Sequence, residues 1–160
     1  MSAPQERLQA LGLKLPEVAA PVAAYVPAVR TGSYVYTSGQ LPLTDGELPA
    51  IGKVGAEIGT AQAKDLARIC ALNALAAAAS VAGGLGGIRQ IVKVTGFVAS
   101  APGFTGQPQV INGASELLLD VFGDAGRHAR SAVGVAELPL DAPVEVELIV
   151  EVAQDVEVAQ

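Results

Sequence analysis

Residues Val144 to Val152 alternate between apolar and mostly acidic side chains. Val144, Val146, Leu148, Val150 and Val152 share one side, and Glu145, Glu147, Ile149 and Glu151 share the other, because side chains of an extended strand alternate with period two. A helix of 3.6 residues per turn would scatter these valines around its axis, so the pattern requires a half-buried strand. The chain is thereby committed to a sheet with one face in a core. A cover for that face is at hand between Thr60, which can cap a helix, and about Val81. There Leu66, Ile69, Cys70, Asn73 and Ala77 recur at helical spacing, and the second half is almost all alanine. Alanine favours helix and lets a neighbouring element approach closely.

The remaining elements fall between clear breakers. Ser2, with Pro4 and Glu6 behind it, marks the start of a short helix running through Arg7 and Leu8 toward Gly12. The Pro-rich lead-in continues to residue 24, with Pro16 and Pro21 forbidding regular helix. Tyr25 to Arg30 and Ser33 to Ser38 read as a hairpin about Thr31-Gly32-Ser33, and Leu41 to Gly59 as mostly loop. Gly83 to Gly87 ends the long helix. This cluster follows a helix rather than a strand and lacks a Gly-Lys-Ser/Thr ending, so it does not read as a phosphate loop. Ile88 to Ser100 is expected as strand, Val110 to Phe122 as a helix closed by Gly123, and Ser131 to Glu137 and Pro143 to Val152 as the last two strands. The order β-β-α-β-α-β-β, after a short helix, predicts one two-layer α+β domain over residues 1–160.

Composition adds a constraint on assembly. The chain has 29 Ala and 18 Gly against three Phe, three Tyr and no Trp. Aromatic side chains bury roughly 150–250 Å² each, so this core is thin for 160 residues and self-association could complete it. With 51% hydrophobic and 16% charged residues the chain is not disordered. The uninterrupted Ala/Leu run from Ala74 to Ala79 is far below the roughly 20 residues of a membrane span, so no membrane partner is expected. A net charge of −6, with basic residues scattered from Arg7 to Arg130, argues against nucleic acid. The lone Cys70 reads as a core residue and the N-terminus lacks a signal-peptide pattern, so a cytoplasmic protein is expected.

The strand before the last points to a site. Val133 and Val135 share one face, opposite Arg130, Ala132, Gly134 and Ala136. Matching apolar face to apolar face across the two strands puts Arg130 and Glu145 on one face, at the edge of a cleft or interface where small residues leave room for a ligand or another subunit's backbone. His128 is the only histidine, so neither a histidine zinc site nor a Ser-His-Asp triad within one chain is expected, and no metal cluster is visible.

Three segments carry a resemblance: Tyr34-Val35-Tyr36-Thr37-Ser38-Gly39-Gln40-Leu41-Pro42, Ile91-Val92-Lys93-Val94-Thr95-Gly96-Phe97-Val98, and His128-Ala129-Arg130-Ser131-Ala132-Val133-Gly134-Val135-Ala136-Glu137-Leu138-Pro139. With Val144-Glu145-Val146-Glu147 after the Leu-Pro corner, these resemble the Rid family, also called the YjgF or L-PSP family, over about Tyr25 to Ala153. Asn112-Gly113-Ala114-Ser115 and the Gly52–Gly55 stretch resemble a divergent branch. The resemblance implies a chorismate-mutase-like fold, a homotrimer with clefts between subunits, and cofactor-free hydrolysis of reactive 2-imino acids to 2-oxo acids and ammonia. By position it implies that Arg130 clamps the substrate carboxylate and Glu145 holds the attacking water. It further implies that Tyr25 lines the pocket, that Gly39 offers backbone groups, and that Asn112 reaches in from the second helix across the interface. Ala132 stands where many deaminases of the family have Cys, and His128 where Pro is common. His128 could thus supply an accessory titratable group. The Ala132 departure keeps open a non-catalytic trimer binding a small 2-oxo acid, and the ribonuclease and translation-inhibitor names in the family keep open, against the charge balance, an RNA-directed activity.

Overall fold

The computed structural model describes residues 1–21 and 23–154. Its principal elements are α1 (Ala3–Ala10), β1 (Ala28–Thr31), β2 (Tyr34–Thr37), α2 (Thr60–Ala82), β3 (Ile88–Ala99), α3 (Gln107–Phe122), β4 (Ala129–Val135) and β5 (Val144–Val152). The strands form one sheet in the order β1-β2-β5-β3-β4. Only the β3–β4 pair, joined through α3, is parallel. Both α2 and α3 lie on the same side of the sheet, which is the expected two-layer α+β arrangement.

Local chemistry explains where the boundaries moved. Ser2 starts α1 as expected, as its N-cap, with Gln5 completing a capping box and Glu6 in the first turn. The cap of α2 is the backbone of Gly59, not the side chain of Thr60. The helix α3 begins at Gln107 rather than Val110, because Pro108 sits in its first turn, where a missing N–H breaks no bond. The first hairpin strand is shorter than expected. Tyr25 lies ahead of it, outside the ladder.

The apolar side of β5 behaves as its sequence demands, with Val144, Val146, Leu148, Val150 and Val152 all buried against α2 and its neighbours. Cys70 of α2 is fully buried there, 3.5 Å from the Val144 carbonyl that its thiol faces. By length and composition α2 does meet the requirement for crossing a bilayer, which corrects the reading from uninterrupted runs. Its apolar surface is packed on β5 and α3 in this structure. Asn73 ties the helix to the preceding loop, donating to the carbonyls of Leu41 and Leu43 at 2.9 and 3.0 Å.

The placement of α3 depends on Gly96 in β3. A Cβ at Gly96 would lie 2.5 Å from Cγ1 and 2.8 Å from Cγ2 of Ile111, so only glycine lets the helix sit this low on the sheet. Ile111 is fully buried, and the next residue is Asn112. Among the described residues, nothing covers the opposite face of the sheet. Val29, Tyr34, Tyr36 and Val133 are exposed on it, Val133 at 43%.

Candidate active site

The register shows which site residues share a face. Val94 pairs with both Arg130 and Leu148, and Phe97 pairs with both Val133 and Glu145. Directly paired residues point the same way. Arg130 therefore lies on the helix side with Leu148, and Glu145 on the open side with Val133. The expectation that Arg130 and Glu145 share a face is wrong. It took Val133 and Val135 as core-facing, but Val133 belongs to the uncovered face. Nor do the small residues beside Arg130 make room for a ligand. Ala132 packs against the core, and a Cβ at Gly134 would come 2.8 Å from the Gln107 amide nitrogen. The space they leave is filled by the start of α3.

On the helix side a polar cluster surrounds Arg130. Its Nη1 donates to Asn112 Oδ1 at 2.8 Å and to Ser115 Oγ at 3.2 Å, and its Nη2 to the Pro108 carbonyl at 3.4 Å. All three acceptors belong to α3, so Asn112 meets Arg130 within one chain. A guanidinium carries five N–H groups. The Nε–H and one Nη2 N–H are left, among the described residues, for an anion. His128 completes the cluster. Its Nδ1 is 2.6 Å from the Gly126 carbonyl and its Nε2 is 2.8 Å from Ser115 Oγ. A carbonyl only accepts, so Nδ1 carries the proton and, in the neutral ring, Nε2 accepts from the Ser115 hydroxyl. These side chains, with Leu119 and Arg127, line an open cavity of about 470 Å³.

Ser115 is the member that sequence reasoning did not single out. The available signal was its spacing: Asn112, Ser115 and Leu119 recur at i, i+3 and i+7, one face of a helix.

The second group lies across the sheet. Glu145 is half-buried on the open face and runs so close over Gly39 that any side chain there would collide with its carboxylate. Burial first, and the neighbouring Glu147 charge second, hold the Glu145 carboxyl above the usual carboxylate range. The chain ahead of β1 is pinned beside this point, because Ser38 donates its hydroxyl to the Val26 carbonyl at 2.7 Å and its N–H to Pro27 at 2.8 Å. Tyr25, half-exposed, immediately precedes the pinned Val26.

One chain thus carries a cationic group built from Arg130, Asn112, Ser115 and His128, and an acidic group in which Glu145 lies over Gly39. The sheet separates them. Residues 5–152 match the family model described as "YjgF/chorismate mutase-like, putative endoribonuclease". The chain belongs to this family, called Rid below. Protein TCP17 of Trypanosoma cruzi is 46% identical over 145 residues, which cover 90% of this chain and 91% of that protein. The 2-iminobutanoate/2-iminopropanoate deaminase of Escherichia coli K12 is 32% identical over 130 residues, 81% of this chain and 88% of the enzyme. The crystal structure of E. coli TdcF with bound serine superposes with a TM-score of 0.64 at 30% identity, covering 86% of this chain and 94% of that one. The fold of this Rid chain is accordingly the chorismate-mutase-like one.

Proposed function

We propose that the protein hydrolyses reactive 2-imino acids to 2-oxo acids and ammonia, at a cleft where the Arg130 side of one copy meets the Glu145 side of the next. The observation that carries this reading is the Arg130 guanidinium, anchored by three acceptors of α3 with two N–H groups still free beside an open cavity. Such a planar fork suits a carboxylate. The exposed apolar sheet face, with Tyr34, Tyr36 and Val133 uncovered, supports contact between copies. The deaminase and serine-bound TdcF among its relatives support a small, carboxylate-bearing substrate.

The reaction follows from the two groups. With the substrate carboxylate on Arg130, the imine carbon beside it is the electrophile. A water held by Glu145 adds to that carbon and gives its proton to the carboxylate. Glu145 passes that proton to the imine nitrogen, giving the carbinolamine. Its hydroxyl then yields the second proton to Glu145 as the C–N bond breaks, and the nitrogen takes that proton and leaves as ammonia beside the 2-oxo acid. Glu145 acts as base and then as acid, a cycle suited to a carboxyl held above its ordinary range. The test generates 2-iminobutanoate in situ and follows its loss. Wild type should accelerate hydrolysis, and Arg130→Ala and Glu145→Gln should each abolish the acceleration. No acceleration by wild type, or an unchanged rate in Arg130→Ala, refutes the proposal.

The alternative, binding without turnover, is favoured by one feature, Ala132 in place of the thiol common in the family. Calorimetric binding of 2-oxobutanoate with no imine hydrolysis would establish it.

A further inference from the structure

We infer that Ser115 is an activated nucleophile, with His128 as its base, and that the chain has a second hydrolytic capacity toward activated esters of dicarboxylic acids that keep one carboxylate free. The three contacts such chemistry needs are all present in one chain. The Ser115 hydroxyl lies 2.8 Å from His128 Nε2, and the far nitrogen of that ring is fixed by the Gly126 carbonyl at 2.6 Å. Nucleophile, base and orienting group therefore form a line. The third contact is Arg130 Nη1, which donates to the same Ser115 oxygen at 3.2 Å and favours its deprotonated form. One lone pair of Oγ takes this bond and the other remains for attack.

The fold holds this geometry on both sides. Gly126 sits so close to the end of α3 that a Cβ would come 2.8 Å from the Leu118 carbonyl carbon and 3.0 Å from Leu119 Cα, which fixes the carbonyl that orients His128. The group is part-buried and opens on the cavity of about 470 Å³. In an ordinary helix-anchoring role for Arg130, Asn112 would be sufficient, and Ser115 would need no base. The free edge of Arg130 sets the substrate class, an acyl group carrying its own carboxylate.

The step balances without a cofactor. Ser115 Oγ bonds to the acyl carbon while its proton passes to His128 Nε2. The bond from acyl carbon to leaving oxygen breaks, and the leaving alcohol takes that proton. Water then adds to the acyl carbon, giving its proton to His128, and Ser115 Oγ departs with it. The sum is ester plus water to acid plus alcohol.

The experiment treats the full chain with the mono-4-nitrophenyl ester of adipic acid, whose carboxylate is too far along the chain to close a five- or six-membered anhydride, and follows nitrophenolate release together with intact mass and peptide mapping. Expected are a burst of nitrophenolate and a single adipoyl group on Ser115. The adduct should be lost in Ser115→Ala, and the burst should slow by about 10²-fold or more in His128→Gln, the usual contribution of a general base. No adduct on wild type, an adduct on another residue, or an undiminished burst in His128→Gln overturns the inference. The wild-type mapping decides it even if a variant fails to fold. No imine is present in this assay, so its outcome is independent of the imine reading.

Discussion

Replacing Gly96 with alanine tests how the sheet places α3, and with it Asn112 and Ser115. The new Cβ would press on Ile111 at 2.5 Å from Cγ1 and 2.8 Å from Cγ2. Ile111 is fully buried, and Val146 stands beside Gly96 in the ladder, so neither side has room to yield. Overpacking of this kind costs about 1–3 kcal/mol. Relief from glycine's backbone entropy offsets about 0.5–1 kcal/mol of that, leaving a net loss of roughly 1–2 kcal/mol. Ile111→Val removes the terminal carbon nearest the clash and on its own costs about 0.5–1.5 kcal/mol. In the double variant the total should fall short of the sum by about 0.5 kcal/mol or more, because the two changes compensate each other. Urea unfolding at one fixed protein concentration measures all four corners of the cycle, with a shifted midpoint and an unchanged slope. Since Asn112 follows Ile111 directly, Gly96→Ala should also weaken 2-oxobutanoate binding several-fold. A Gly96→Ala protein as stable as wild type, or strict additivity, would refute the argument that this contact sets the helix.

Three other outcomes are expected. Arg130→Lys loses the planar fork and should weaken 2-oxo acid binding by about 10- to 10²-fold, as expected for charged hydrogen bonds of about 1.5–3 kcal/mol each, with calorimetry as the measurement. The Glu145 carboxyl is held above its ordinary range, so its contribution to stability is complete below that range and declines as pH rises through the folded value. Glu145→Gln should therefore melt above wild type at neutral pH and match it in acid, and identical melting at every pH would contradict this. Burial pushes the Cys70 thiol well above its usual range, so Ellman's reagent should detect it only after unfolding. Rapid reaction in the native protein would show that the α2–β5 contact opens.

The sequence was most legible where one physical pattern ruled. The alternation of Val144 to Val152 and the alanine-rich helix at 60–82 both reappear in the structure because each has a single way to bury its apolar side. The misreading of β4 has the opposite cause. Val133 is as apolar as Val146, yet it lies on a face the described residues leave uncovered, and hydrophobicity does not say which chain will bury it. For Pro108 the error was local, since proline stops a helix from within but suits its first turn. Arg130 and Asn112 could be picked out in advance and do meet. For Ser115 the sequence offers only its helical spacing from Asn112, because its role rests on a ring held by the carbonyl of a turn 11 residues further on, at Gly126.

The sheet that divides Arg130 from Glu145 makes each chain a pair of unlike halves. In a closed ring of copies, every chain would then lend one half to the neighbour on its left and the other to the neighbour on its right. Two variants each inactive by themselves, Arg130→Ala and Glu145→Gln, would restore one another when unfolded, mixed and refolded together. In a random equal mixture about one junction in four would bring two intact halves together. Recovery on that scale would count the chains behind each site, whereas a centre contained within a single chain could not be rebuilt from two broken ones.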